Sequence, residues 1–334
     1  MSGSILVTGG TGFIGSHICI ALCDAGFRPL LFDNGSNTQN NVVERIYKIT
    51  GFTPKYIKGD IRDRRLLDQI LRDESIEAVI HLGATRSVSS SLIDPLHCYE
   101  NNLMGSSILI QAMHNAGIRK LIFSSSAAVY GIPSTCPIPE TAPCRPISPY
   151  GLAKKMVEQM ICDLCLADPE WRAISMRYFN PAGAHISGLM GESRKSKSNQ
   201  LIPIVSQVAL GQRRAFKIFG KDYPTHDGTA IRDYVHVMDL AQAHVLGLKY
   251  LQKPSTFLKI NLGSGKGHSV LDVVDIMQRV SGKRIEHSFG LRKLGDAPEC
   301  WADSTFAKKI IGWSAQSSLY TICEDILRWQ HSES

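Results

Sequence analysis

An α/β fold built on a doubly wound parallel sheet, followed by a smaller α/β C-terminal lobe, is predicted by three features of the sequence. Short β-branched runs alternate with helical stretches, a glycine-rich turn follows the first run, and the rhythm changes near residue 180. The runs fall at 5–8, 30–33, 55–58, 78–81, 120–124 and 173–178. Strand, helix and strand in alternation select right-handed crossovers, hence parallel neighbours. Between them, 14–25 and 66–72 space apolar residues by three and four, the period of a helix buried on one face. The stretches 92–116 and 150–167 read as long helices, apolar on more than one face, suited to burial under the sheet or to a subunit interface. Beyond residue 180 come a Gly/Ser/Lys-rich loop, a helix near 201–210, a strand at 216–219 and more frequent turns. The expected division is 1–180 and 181–334, with about 230–262 returning to the first unit.

A chain of 334 residues exceeds the size at which one core keeps growing. With 43% hydrophobic and 20% charged residues it is a folded globular chain and not a disordered one. The formal charge of +7 is dispersed, and its densest cluster, Arg194, Lys195 and Lys197 among serines, reads as a solvated loop. A phosphate-bearing small molecule accounts for that charge, and no signature of nucleic-acid binding accompanies it. Nine scattered cysteines, with no leader segment expected, indicate a reducing compartment, the cytoplasm. Cys162 and Cys165 form a C-x-x-C in mid-helix without a second ligand pair, so they read as buried thiols and no metal site is expected. No apolar run approaches the ~20 residues that span a bilayer, and no membrane partner is expected.

The motif TGGTGFIG at 8–15 ends a strand and opens a helix, with glycines at Gly9, Gly12 and Gly15. In a Rossmann-like turn the first glycine permits the bend, the second admits a pyrophosphate to the backbone, and the third lets helix and strand close up. Asp33 ends the second strand where a carboxylate accepts from ribose hydroxyls and repels a 2′-phosphate, which selects NAD over NADP. An ordinary glycine turn with Asp33 as a cap is the bland alternative. Asp60 and Ile61 would flank the adenine, although an aspartate there also serves as a helix cap.

Ser126 ends another strand, and Tyr150 and Lys154 lie four residues apart at the start of a helix after Pro149. An ammonium beside a phenol favours phenolate, making Tyr150 a candidate base and Lys154 its tuning group. Taken alone, Y-x-x-x-K is usually an aromatic beside a solvated lysine; here it follows a dinucleotide turn. His81, His185, His236 and His244 are far apart in sequence, lack metal-ligand spacing and read as structural.

Four phrases extend this pattern: SSSAAVYG at 124–131, RYFNPAGAH at 177–185, FGKDYPTHDG at 219–228 and RDYVHVMD at 232–239. Through them the chain resembles the UDP-glucose 4-epimerase (UDP-galactose 4-epimerase) family, in the extended branch of the short-chain dehydrogenase/reductase superfamily. The resemblance runs from Ile5 to about Trp329. It implies an isomerase of a UDP-hexose, UDP-glucose/UDP-galactose or UDP-GlcNAc/UDP-GalNAc, working through a 4-keto sugar with NAD held across turnovers. Tyr150, Lys154 and Ser126 would be catalytic. The cofactor would be held by the three glycines with Phe13, Ile14, Asp33 and Asn34, by Asp60, Ile61, Leu82, Gly83, Ala84 and Arg86, and by Asn101, Ser124, Tyr150, Lys154 and Tyr178. The UDP-sugar would meet Arg86, Ser126, Tyr150, Asn180, Gln200 and Leu201, then Lys217, Phe219, Arg232, Lys293, Asp296 and Cys300. Arg232 would clamp the pyrophosphate, against the alternative of a salt bridge to Asp233 or Asp239. Family likeness further implies a homodimer through the two long helices.

Several positions depart from that pattern. Arg86 replaces a usual lysine, Gly83-Ala84 inverts a usual order, and Ala128 lacks a usual hydroxyl. Gln200 stands for asparagine, Lys293 for an arginine, and Cys300 for a tyrosine of some members, which would enlarge the sugar pocket. A 4,6-dehydratase or UDP-glucuronate decarboxylase needs a carboxylate where Ala127 and Ala128 stand. A dehydrogenase that releases NADH, a UDP-pentose 4-epimerase and a non-catalytic NAD sensor remain the alternatives.

Overall fold

The computed structural model describes residues 3–37, 41–193, 200–253, 257–293 and 295–332, so the basic cluster Arg194, Lys195 and Lys197 lies outside the described residues. The first half runs β1 (Ser4–Thr8), α1 (Phe13–Asp24), β2 (Arg28–Asp33), α2 (Val42–Thr50), β3 (Lys55–Lys58), α3 (Arg64–Asp73) and β4 (Ile76–His81). It continues through α4 (Val88–Ile93), α5 (Pro95–Tyr99), α6 (Gly105–Asn115), β5 (Lys120–Ser126), α7 (Pro149–Ala167) and β6 (Arg172–Tyr178). Then follow β7 (Asn180–Ala182), α8 (Leu201–Ala209), β8 (Phe216–Phe219), β9 (Ile231–Arg232), β10 (Tyr234–His236), α9 (Val237–Tyr250) and β11 (Phe257–Leu262). The chain closes with β12 (His268–Ser269), α10 (Val270–Ser281), β13 (His287–Gly290), β14 (Glu299–Cys300), α11 (Thr305–Ile311) and α12 (Leu319–Ser332).

Seven parallel strands form the main sheet in the order β11-β6-β5-β4-β1-β2-β3, so the chain reverses direction between β1 and β4 and leaves a crevice at their carboxyl ends. Strand alternation distributes the core. Ile5, Val7 and Leu31 face α1 and α9, whereas Leu6, Leu30, Phe32 and Phe123 face the side of α3, α6 and α7. A third apolar cluster, joining Ile202 and Val205 of α8 to Val273 and Met277 of α10 and Ile322 and Ile326 of α12, builds the C-terminal lobe. Strand β11 belongs to the main sheet through its register with β6, Phe257 opposite Ala173.

The stretch 92–116 is not one helix. Pro95 offers no N–H and its ring disfavours helix before it, so α4 ends and Asp94 caps the next turn, accepting from His97 N at 3.1 Å. A π-helical turn, Glu100–Met104, then precedes α6. Helix α7 is continuous, and its Cys162 and Cys165 are free thiols. No helix of the described residues is long and apolar enough to cross a membrane.

Candidate active site

The turn between β1 and α1 is close-packed. Gly9 has φ +69°, and a β-carbon there would lie 3.0 Å from the backbone of Leu82 and Gly83. A β-carbon on Gly15 would sit 2.1 Å from the Gly9 carbonyl, so this position admits glycine alone. Helix α1 starts at an N-cap, Gly12, whose lack of a side chain leaves the helix end open to an anion. Asp33, at the end of β2, accepts from Thr11 N at 3.2 Å and Gly35 N at 2.8 Å, which fixes its carboxylate beside the turn.

A cleft of about 1350 Å³, measured with its open mouth, runs from this turn across the ends of β4 and β5. Gly9, Gly12, Phe13, Ile14, Gly15, Asp33, Asn34 and Ile61 line one end. Leu82, Gly83, Ala84, Arg86 and Asn101 line its middle, and Ser124, Tyr150, Lys154 and Tyr178 the other end. Asp60 is not among the lining residues. It does not cap α3, which Asp63 does; it is held by three nitrogens of Arg62 and by Asn34 Nδ2 at 3.3 Å. The Arg62 contacts hold its carboxyl down at about 2.

Beneath the cleft, Thr8 Oγ1 meets His81 Nδ1 at 2.7 Å and His81 Nε2 meets Ser106 Oγ at 2.8 Å, joining β1, β4 and α6. Burial lowers His81 to about 3, so it stays neutral. Asn102, on the π-helical turn, accepts from Thr85 N at 2.8 Å and donates to Thr85 O at 2.9 Å, fixing the loop that carries Arg86. The sequence reading singled out Asn101 and passed over this buried neighbour, which only the fold brings to Thr85. Thr85, Ser125 and Glu192 also line the cleft and were missed.

At the far end of the cleft, Ser148 caps α7 by accepting from Gly151 N at 3.2 Å, and Pro149 supplies the first turn. Tyr150 and Lys154 therefore share one face of the helix. Lys154 Nζ donates to Ser124 O at 2.6 Å and lies 4.7 Å from the Phe123 ring centroid and 5.9 Å from that of Tyr150. Burial lowers Lys154 to about 7. Burial raises Tyr150, outweighing the lowering influence of nearby Ser126 and of the Arg86 charge. Lys154, turned toward the Ser124 carbonyl, is not among the groups that lower the phenol. Tyr178 is pinned by His244: Nδ1 donates to Leu240 O at 2.8 Å, so Nε2 accepts from the phenol at 2.6 Å.

One turn beyond Lys154, Glu158 is buried. Arg177 grips it through Nε at 2.9 Å and a terminal nitrogen at 2.6 Å, and Ser125 Oγ donates to it at 2.6 Å. This bidentate pair ties α7 to β5 and β6 one turn beyond Lys154.

The C-terminal lobe gathers a second group. Arg232 pairs with Asp296, neither Asp233 nor Asp239 being its partner. Asp233 instead accepts from Ser264, Gly265 and Ala302, and Asp239 from Gln316 and Ser317. Cys300 lies opposite Arg232 across β9 and β14, and burial raises its thiol to about 11. Lys293 Nζ stands 4.6 Å from the Phe219 ring centroid, and Lys217 is exposed on the same strand as Phe219. Asn180 is in register with Tyr234, while Gln200 and Leu201 open α8. His185 bonds Ser187 at 2.8 Å, and His236 bonds Asp325 at 3.1 Å. Among the described residues, His226, Asp227 and Asp272 form a cluster of potential metal ligands, with Asp227 also engaged by Ser269 and Thr229.

A doubly wound sheet whose glycine turn leads along one cleft to a Tyr/Lys pair defines a dinucleotide-dependent enzyme of the short-chain dehydrogenase/reductase type. Residues 5–263 match the NAD dependent epimerase/dehydratase family, and the chain belongs to that family. It is 48% identical to a UDP-glucose 4-epimerase of Yersinia pestis, covering 98% of this chain and 97% of that protein. It is 42% identical to a human UDP-glucose 4-epimerase, covering 99% and 97%. Among solved structures, a UDP-glucose 4-epimerase from Stenotrophomonas maltophila with bound NAD and formylated UDP-arabinopyranose superposes with TM-score 0.97 at 41% identity, covering 99% and 98%. One from Bifidobacterium longum in complex with NAD+ and UDP gives 0.95 at 39% identity, covering 98% of each chain.

Proposed function

We propose that this protein interconverts the 4-epimers of a UDP-hexose, with NAD held in the cleft throughout. The reading is carried by the placement of Tyr150, Lys154, Ser124 and Ser125 at the far end of the cleft that the glycine turn opens, with Ser126 next in the chain. NAD fits the residues present. Gly9 and Gly15 leave a backbone cradle that a β-carbon would fill, no side chain caps α1, and the fixed Asp33 carboxylate suits ribose hydroxyls and opposes a 2′-phosphate. When bound, NAD supplies a hydride acceptor that later returns the hydride to the sugar.

The chain's own groups do the rest. Tyr150 Oη, entering as the phenolate with the Arg86 charge in its support, takes the proton of the sugar 4-hydroxyl and gives it back, with Ser126 close to the same group. Lys154 donates at the buried floor and Tyr178, fixed by His244, closes one wall. The 4-keto sugar must turn over between the two hydride transfers, so binding is anchored on the UDP by Arg232, Asp296, Phe219 and their neighbours in 181–334. Residues 1–180, with 230–262, hold the cofactor. Ala127 and Ala128 follow Ser126 and bring no carboxylate beside Tyr150, which disfavours dehydration and decarboxylation.

Cys300 supports acceptance of UDP-N-acetylhexosamines, since a small residue leaves room for the N-acetyl group; a structure titled as a UDP-Glc/GlcNAc 4-epimerase, from Campylobacter jejuni, is similar at 33% identity and TM-score 0.86, covering 99% and 100%. Exposed Leu92, Ile93, Leu96 and Met104 beside α7 favour a homodimer, and the free thiols favour the cytoplasm. The test is to incubate the purified protein with UDP-glucose or UDP-GlcNAc, without added NAD, and follow the anomeric proton signals by NMR. Epimer formation at constant reduced-nicotinamide absorbance is expected; net NADH formation, or no conversion, would refute the reading.

A further inference from the structure

We infer that Arg86 and Glu192 form a latch across the cleft that sets how long NAD stays bound, making Glu192 a positioning residue for the cofactor. The inference rests on the reading of this cleft as the NAD site.

Arg86 projects from the loop after β4 and Glu192 from the loop after β7, 106 residues apart, and both line the cleft. Their side chains form an ion pair in which Glu192 is 9% exposed and Arg86 40%. The Glu192 loop is held from outside at several points. Trp329 Nε1 donates to Glu192 O at 2.9 Å, and Gly191 fits so closely against that indole that a β-carbon would lie 2.4 Å from it. The Arg45 guanidinium lies 4.8 Å from a Trp329 ring centroid and donates to Leu189 O at 3.4 Å, while Arg328 donates to Ile186 O at 3.2 Å. The carboxylate is thus presented by a braced loop, and Arg86 reaches it from a loop braced by Asn102. Two braced loops joined, among the described residues, by this ion pair make a gate whose opening requires that pair to part.

The pairing also accounts for arginine where a lysine is usual. A planar guanidinium has five donors; one edge can hold Glu192 while others address an anion in the cleft, whereas a lysine offers a single point charge. Arg86 also draws Tyr150 down, so Glu192 moderates the positive charge the phenol senses.

The experiment follows release of NAD from the purified holoprotein into an enzymatic trap, by chromatographic assay of what remains bound. Glu192→Gln and Arg86→Lys are expected to release NAD about tenfold faster or more, the double variant no faster than either single one. Glu192→Asp, which keeps the charge, should stay within about threefold of wild type. In wild type, release should accelerate between about 0.05 and 0.5 M salt, and in Glu192→Gln it should not. The salt series on wild type stands even if a variant misfolds. Equal release from wild type and Glu192→Gln, or salt-independent release from wild type, would overturn the latch alone. Wild-type protein that holds no NAD would overturn the proposed function and the latch with it.

Discussion

Replacing Arg177 by methionine tests how the reacting groups are supported. The guanidinium is 1% exposed and makes two contacts to Glu158 and one, at 2.8 Å, to the Tyr130 hydroxyl, which in turn donates to Asn261 at 2.7 Å. Burial opposes its charge, yet the Glu158 carboxylate more than offsets this and raises its pKa, so the guanidinium is charged in the fold. Methionine fills much of the volume but leaves a buried carboxylate with the Ser125 hydroxyl and no cation. Breaking such a pair costs about 3–5 kcal/mol, a large share of the roughly 5–15 kcal/mol of a typical domain. Urea denaturation of NAD-loaded protein, followed by far-UV circular dichroism, should therefore show a strongly lowered midpoint. Adding Glu158→Gln removes the stranded charge and should restore at least about half of the loss, because the penalty lies in the unpaired carboxylate. Since Glu158 raises Lys154 from one turn away, the single variant should also move the Lys154-dependent limb of the pH–rate profile upward. A loss below about 1 kcal/mol, or a double variant no more stable than the single, would refute this account of the pair.

Gly15→Ala should abolish NAD retention, measured after desalting, since its methyl group collides with the Gly9 carbonyl; normal retention would contradict the close approach. Tyr150→Phe should lower kcat by about 10²–10⁴ while bound NAD, read from its absorbance, is unchanged. Acid stability should fall between pH 6.5 and about 3, because burial lowers His17 and His244 to about 4 and His81 to about 3. The unfolded chain binds their protons first, so stability is complete above pH 6.5 and each histidine removes about 2 kcal/mol by about pH 5. Replacing His17, whose Nε2 has no hydrogen-bond partner among the described residues, by glutamine should flatten that decline.

The sequence by itself determined the parallel sheet, the glycine turn with Asp33, and the Tyr150/Lys154 pair on one helical face. These are local: strand alternation, a strand–turn–helix motif and a four-residue spacing are fixed by period and backbone sterics. Tertiary structure decided what depends on partners distant in sequence. It used the π-helical turn after α5 to place Asn102 against Thr85, whereas the break of 92–116 at Pro95 is itself a local signal. It gave Arg232 to Asp296 and Arg86 to Glu192, pairings that no spacing encodes. It also set how strongly Tyr150 and Lys154 are desolvated, for that depends on the depth at which α7 packs on β5, and that depth is a property of the whole fold.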